Sequence, residues 1–169
     1  AGLSLKMPPE EWDANQLARA RAKKVTDARQ GNYVEGRIGM VIDGTGREYD
    51  KIRQQKADLE ALGYDTHMIF VNTSIEVALE RNANRERTVP EDVAKTAWKA
   101  VQGNIGKFQQ LFKGNFVIVD NNKPDEDIEK MTFKSVKRLL SKKVKNTRAR
   151  PWIEMEMKMR GTTKKPKGW

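Results

Sequence analysis

The stretch that decides the fold is IGMVIDGTG, residues 38–46, in which a short apolar run ends at an aspartate followed by two glycines. A continuous apolar run of this length predicts a parallel β-strand buried on both faces. Gly44 and Gly46 predict a tight turn directly after Asp43. A helical pattern follows and stops at Gly63, since glycine commonly ends a helix. These residues therefore predict one strand–turn–helix unit.

The same unit recurs towards the C-terminus. HMIFV, residues 67–71, predicts a second buried strand, and residues 73–76 fit a capping box that opens a helix. Residues 90–112 predict one further helix, weakened by its internal glycines, and FVIVD, residues 116–120, predicts a third strand. Strands that alternate with helices of this length predict an α/β fold with a parallel sheet.

The flanks of these units predict helices and a tail. We expect a first helix from Asp13 to about Gln30, a long helix that begins near Asp125, and a helix over residues 152–160. We divide the chain into a core at 1–124, basic C-terminal helices at 125–160, and a disordered basic tail at 161–169.

Composition restricts the classes of function. The chain has 169 residues and no cysteine, which excludes disulfides and cysteine metal sites. No apolar run approaches the roughly 20 residues that cross a bilayer, and the first residues lack the apolar core of a signal peptide. We therefore expect a cytoplasmic protein without a membrane partner.

Positive charge is concentrated near the C-terminus. Residues 130–169 carry 14 Lys or Arg and two acids, a net of +12, whereas residues 1–129 carry 19 bases and 21 acids. Such a region attracts phosphate polyanions. It is interpreted either as a nucleic-acid-binding module from Lys130 to Lys145 or as a solvated basic helix with a loose tail.

Ligands of open parallel sheets bind beyond the carboxyl ends of the strands, and the turn at 43–46 lies at such an end. The carboxylate of Asp43 could hold Mg²⁺ or accept a proton from an attacking hydroxyl. Gly44 and Gly46 would let a ligand approach the backbone, and Thr45 offers a hydroxyl. The alternative is a structural turn in which Asp43 caps the next helix.

An arginine-rich segment, RNANRERTVP, follows the second predicted strand. Arg81 and Arg85 are four residues apart and share a helix face, and Arg87 lies just beyond. Guanidinium groups on such a segment could clamp phosphates and stabilise the charge of a transferring phosphoryl group. The alternative is a solvated helix end whose arginines pair with Glu80 and Glu86.

The third strand ends in Asp120 and Asn121, which could contact a nucleotide or form only a turn, and the turn is the favoured interpretation. Polar side chains on the long helix could also line a substrate groove; these are Gln102, Asn104 and Gln109. The one histidine, His67, is interpreted as a residue at a strand start.

The motifs VIDGTG, IFVNTSIEVALERNANRER, AWKAVQGNIGKFQQLF and FVIVDNN, in this order, resemble phage-type predicted kinases. These are P-loop proteins related to zeta toxins and polynucleotide kinases. The resemblance implies a three-layer αβα sheet of about five parallel strands. It also implies ATP and Mg²⁺ as cofactors and transfer of the γ-phosphoryl group to a hydroxyl. On that basis Asp43 would be the Mg²⁺ partner or general base, Thr45 would contact substrate, and Arg81, Arg85 and Arg87 would hold phosphates.

One motif of that family is absent from these 169 residues: no stretch matches the Walker A loop, G-x-x-x-x-G-K-[ST]. The resemblance therefore implies that the first strand and its loop lie upstream or have been lost, and that the chain alone is inactive. A third interpretation is an α/β scaffold whose exposed strand edge pairs with another copy or chain.

Overall fold

The computed structural model describes residues 11–86, 88–122 and 126–163. Along these residues the elements are, in chain order, α1 Trp12–Glu35, α2 Tyr49–Ala61, β1 Met68–Asn72, α3 Ile75–Asn84, α4 Glu91–Gln102, α5 Ile105–Phe112, β2 Phe116–Asp120, α6 Glu126–Leu140 and α7 Arg150–Met159. One-turn 3-10 helices at Lys113–Asn115 and Thr147–Ala149 precede β2 and α7. The predicted tail falls largely on residues 164–169, outside the described ranges.

The strands β1 and β2 pair in parallel, with Met68 opposite Phe116 and Asn72 opposite Asp120. They form a two-stranded sheet in the described part of the chain, so the expectation of about five strands is wrong there. Each strand has a neighbour on one side only and leaves its other edge unpaired. The result is a mixed arrangement of helices and a small parallel sheet, consistent with a partial α/β fold.

The predicted strand at residues 38–42 does not form. These residues connect α1 to α2 without regular structure. The side chain of Val41 is 99% exposed, and Ile38 and Ile42 are about half exposed. A strand needs a neighbour for its backbone N–H and C=O groups, and β1 and β2 pair only with each other here. Residues 38–42 therefore lack regular structure and remain largely in contact with solvent.

The predicted helix over residues 90–112 is two helices. Helix α4 ends at Gln102 and α5 begins at Ile105, with Gly103 and Asn104 between them. Glycine weakens a helix interior, and here a buried asparagine follows it and turns its side chain to another segment. The break forms a corner that matters for the candidate site.

The core lies between α5 and the sheet. Phe70 of β1 is buried with Phe108 and Phe112 of α5, and Tyr49 of α2 stacks at a tilt on Phe108 with ring centroids 5.5 Å apart. Helix α6 packs along β2, where Val119 is buried. The sheet therefore contacts helices through aromatic and branched side chains, as parallel sheets require.

Several local predictions are confirmed. Helix α2 follows the turn as expected, Ser74 caps α3 by accepting the backbone N–H of Val77 at 3.3 Å, and residues 152–159 are helical. Helix α1 is mostly exposed and is attached near its end, where the Tyr64 hydroxyl donates to the backbone oxygens of Tyr33 and Ile38. Within the described ranges, every helix falls short of the combined length and apolar character that crossing a bilayer requires.

Candidate functional site

The carboxyl end of β1 is a polar junction. The Asn72 side-chain oxygen accepts the Gln102 amide at 2.8 Å, and the indole N–H of Trp98 donates to the backbone oxygen of Thr73 at 2.9 Å. The backbone N–H of Asn121 donates to the backbone oxygen of Asn72 at 2.8 Å. These bonds fix the end of α4 against the carboxyl ends of both strands. We call this end of the sheet the rim.

The turn that carries Asp43 is attached to the same rim through Asn104. The side-chain amide of Asn104, which is 6% exposed, donates to the backbone oxygens of Gly46 at 3.1 Å and Arg47 at 2.9 Å. Asn104 lies two residues after Gln102, which bonds to Asn72. The corner between α4 and α5 therefore links the turn to the end of β1.

Gly46 shows why this turn needs glycine. Its φ of +74° lies in the left-handed region, where a side chain is strained. The residue is buried, and a Cβ there would come 3.7 Å from the rings of Phe70 and Phe108, which is ordinary contact. Space thus tolerates a methyl group and only the backbone conformation opposes it. The glycine lets the chain turn while it packs directly on the core.

Asp43, Gly44 and Thr45 project from this turn into solvent. Helix α2 begins at Tyr49, and the residue at its cap position is Glu48, whose side chain makes no capping bond. The alternative role of Asp43 as a helix cap is therefore wrong. Among the described side chains, the carboxylate of Asp43 has no hydrogen-bond or ion-pair partner, so it is available to a ligand.

The arginine segment lies on a helical hairpin made of α3 and α4, which pack on each other. Asn82 closes its tip: its side chain donates to the Val89 backbone oxygen at 2.7 Å and accepts the Val89 N–H at 3.0 Å. The Arg85 guanidinium donates to the Asn82 oxygen at 2.8 Å. Asn82 therefore holds both the turn and one arginine in place.

Arg81 and Arg85 are exposed, and neither forms an ion pair with a carboxylate that the structure describes. The expected pairs with Glu80 and Glu86 are thus absent for these two arginines, and Arg87 lies outside the described residues. Helix α3 starts at the rim, so Arg81 lies about 10 Å along it from Ser74. No hydrogen bond or ion pair joins these arginines to Asp43 within the described ranges. Helix α3 begins at the rim, and Arg81 and Arg85 lie at its other end.

The Asp120 carboxylate closes the turn after β2. One of its oxygens accepts the backbone N–H of Asn122 at 3.1 Å and the Asn122 side-chain amide. The Asn122 side-chain oxygen in turn accepts the Ser74 N–H at 2.6 Å. This agrees with the favoured interpretation of Asp120 and Asn121 as a turn, and their contact with a nucleotide stays a prediction.

Electrostatics separates the two ends of the hairpin. The pKa of the Glu76 carboxyl is held below its usual value by hydrogen bonds from the backbone N–H of Glu76 and from the Ser74 hydroxyl. The first turn of α3 therefore carries a negative charge and would repel a phosphate. Arg81 lies in the last turn of α3 and Arg85 directly follows the helix, so any phosphate contact by these two arginines belongs to that end.

Asp43 is the side chain near the rim that could hold a metal ion such as Mg²⁺. In the part of the chain that the structure describes, no three His, Cys, Asp or Glu residues cluster around a possible metal position. Mg²⁺ in nucleotide sites commonly takes one or two carboxylates and completes its shell with water and phosphate oxygens. The free carboxylate of Asp43 suits that role, whereas Asp120 is engaged by Asn122.

Sequence reasoning missed the residues that build the site. Asn104 and Asn82 are the side chains that hold the turn and the hairpin tip. Asn104 had a usable signal, because a Gly-Asn pair inside a helical pattern marks a break. It was predicted only to line a groove, which its burial and its bonds to backbone oxygens contradict. Asn82 had no signal that distinguishes it from a solvent-facing helical residue.

Comparison with known proteins gives one match. The family model described as Zeta toxin matches residues 7–130, which includes α1 to β2 and the first residues of α6. This confirms the relation to zeta toxins that the motifs indicate. Neither the curated proteins nor the solved structures contain a significant match to this chain.

Proposed function

The chain belongs to the zeta toxin family, a P-loop kinase-like family, and from this premise we propose that it forms the acceptor-side part of an ATP-dependent phosphotransferase. The reaction would transfer the γ-phosphoryl group of ATP to a hydroxyl of an acceptor. The fold would be a three-layer αβα sheet that contains β1 and β2 and is completed by further strands. The proposal assigns no acceptor.

In this proposal each rim feature has a role. Asp43 binds Mg²⁺ or accepts the proton of the attacking hydroxyl, and Thr45 contacts substrate between Gly44 and Gly46. Arg81, Arg85 and Arg87 neutralise phosphate charge, because guanidinium groups bind phosphate oxygens in pairs. Asp120 and Asn121 would contact the nucleotide through the carboxylate oxygen of Asp120 that Asn122 does not engage.

The observation that supports this proposal most is the bond pattern of Asn104. It attaches the acidic turn to the α4–α5 corner, which is itself attached to the carboxyl end of β1. Parallel sheets bind ligands at that end. In the proposal, the carboxylate of Asp43 and the arginines of the α3–α4 hairpin act on one phosphate-bearing ligand at this end of the sheet.

Catalysis needs a phosphate cradle that these 169 residues do not encode. A Walker A loop surrounds phosphates with backbone N–H groups and a lysine, and no stretch of the sequence matches it. We propose that a strand and loop from outside this sequence complete the site, and that the 169 residues alone bind MgATP weakly and do not turn over.

An NMR titration with MgATP tests the proposal on the chain itself, since weak binding suits this method. We expect amide shifts at residues 43–46 and 81–86, and a smaller response to ATP without Mg²⁺. Asp43→Asn should abolish the effect of Mg²⁺, whereas Asp27→Asn, which removes an exposed carboxylate of α1, should preserve it.

The arginines are tested by Arg81→Gln combined with Arg85→Gln. This variant should weaken MgATP binding at least several-fold, while Arg29→Gln on α1 changes it little, since Arg29 is equally exposed but lies far along another helix. Shifts confined to α6, or an undiminished response in the Asp43 variant, would contradict the proposed site.

A further inference from the structure

The exposed side of α6 and the residues after it are rich in Lys and Arg, and we call five of these residues the basic ridge: Lys134, Lys137, Arg138, Lys142 and Lys143. The first three are spaced three and four residues apart, so they share a helix face. All five side chains are exposed, whereas Leu139 on the opposite side of α6 is buried. The ridge is thus the free surface of a helix that packs along β2 with its other side.

Among the side chains that the structure describes, no carboxylate neutralises the charge of the basic ridge. None of its five bases forms an ion pair with a carboxylate whose side chain the structure describes. The Lys142 ammonium donates to the Asn115 side-chain oxygen at 3.2 Å, which is an uncharged amide. Such a concentration of like charge costs free energy through self-repulsion unless a polyanion binds.

Apolar side chains border the ridge on one side. Phe133 is 68% exposed and Leu140 is 75% exposed, and their spacing of seven residues places them on one line along α6. An interfacial membrane helix has an apolar centre with bases at its borders. Here the bases occupy the centre of the exposed side, so the ridge does not present an apolar face to a bilayer.

The ridge is separate from the rim. Helix α6 begins after the carboxyl end of β2 and runs back along it. The chain after α6 is fixed at the opposite end of the sheet from the rim, because Lys142 bonds to Asn115, which directly precedes β2. The ridge therefore does not belong to the phosphate-binding machinery of the proposed kinase site.

From these observations we propose that the basic ridge binds single-stranded nucleic acid. The five Lys and Arg side chains of the ridge contact successive phosphates, and Phe133 stacks against a nucleobase at the border of the ridge. Single-strand-binding surfaces combine a basic track with aromatic side chains in this way. An exposed aromatic side chain beside the Lys and Arg residues of the ridge favours this partner over a polyanion that has no nucleobases.

Fluorescence anisotropy with a labelled oligo(dT) of about 20 nucleotides tests the proposal on the full chain. If five phosphates are contacted, the slope of log affinity against log salt should be about −3.5. Neutralising Lys134, Lys137 and Arg138 to glutamine should reduce the slope by about 2 and weaken binding about a hundredfold at low salt. These side chains are exposed and unpaired, so the fold should persist.

Two further variants make the test specific. Replacing Arg19, Lys23 and Lys24 on α1 with glutamine removes the same net charge from another exposed helix and should leave the slope unchanged. Phe133→Ala keeps all charges and should weaken binding about tenfold through lost stacking. Equal loss in both charge variants, no effect of Phe133→Ala, or binding to phosphatidylserine vesicles without binding to oligo(dT) would overturn the proposal.

Discussion

Replacing Asn104 with alanine should release the acidic turn from the rim. The substitution removes two hydrogen bonds to backbone oxygens, at 3.1 Å to Gly46 and 2.9 Å to Arg47. Gly46 is buried, so its oxygen would lose its partner without gaining water, at a cost of about 1–3 kcal/mol. Arg47 is exposed, and its oxygen would be hydrated again at a cost of about 0.5 kcal/mol. We therefore expect a loss of about 2 kcal/mol in the free energy of unfolding.

Urea denaturation measures this loss, and hydrogen exchange shows where it occurs. For a chain of this size about 2 kcal/mol corresponds to a fall of about 4–8 °C in Tm. Exchange should accelerate at residues 43–48 more than in α5, because the turn loses its anchor while the core aromatics remain. Asn104→Asp should be worse than Asn104→Ala, since a buried carboxylate would face two carbonyl oxygens.

Asn84→Ala is the matched control, because Asn84 is an exposed residue at the end of α3 and alanine favours helix. It should leave stability nearly unchanged. If Asn104→Ala costs less than about 0.5 kcal/mol and exchange at the turn is unaffected, the reasoning that Asn104 fixes the acidic turn is refuted.

Three further substitutions follow from the same contacts. Gly46→Ala should cost about 1–2 kcal/mol in thermal denaturation, because its φ of +74° is strained for alanine although the methyl group has room; an unchanged Tm would contradict this. Asn82→Ala should accelerate amide exchange at Val89 by removing both bonds that close the hairpin tip, and unaltered exchange there would show that the tip is held otherwise. Burial, and after it the positive charge of Lys142, lowers the pKa of His67 in the folded protein. The imidazole of His67 therefore binds protons more readily in the unfolded chain than in the folded one. Stability should therefore be lost as pH falls below about 6.5, and His67→Gln should remove that part of the pH dependence of Tm.

Local patterns predicted most helices and both strands because those signals lie within a few residues. FVIVD begins and ends as predicted, HMIFV is shifted by one residue, and Ser74 caps its helix. The chain bends at Gly46, one of the two glycines that predict a turn after Asp43. What these features share is that propensity and hydrogen bonding are decided by neighbours in the sequence.

Residues 38–42 failed as a prediction for a different reason. Their apolar pattern indicates what the segment can do in a sheet, but a strand exists only where another strand pairs with it. The pairing partner is a property of the whole assembly and leaves no trace in the five residues themselves. Val41 is fully exposed while β1 keeps one edge open, so the segment and the sheet each have unsatisfied pairing capacity.

The site residues show the same division. Asp43, Arg81 and Arg85 are candidates from the sequence because a carboxylate after an apolar run and arginines near a helix end are recognisable types, and their roles stay predictions. The asparagines that position them could not be selected from it, since Asn104 contacts residues nearly 60 positions away and its role depends on the fold. Charged candidates for ligand binding are thus easier to select from a sequence than neutral groups that hold the backbone.

The separation of the rim from the basic ridge has a consequence for any nucleic acid that this chain binds. Lys134 lies about 12 Å along α6 from Glu126, the first helical residue after the rim. A nucleic-acid strand held on the ridge would reach the rim only by following α6 towards its start, where the exposed Glu129 adds negative charge. Nucleic acid on the ridge is therefore expected to bind independently of MgATP. Neutralising Lys134, Lys137 and Arg138 should leave the MgATP response of residues 43–46 intact, and a loss of that response would show that one continuous surface serves both ligands.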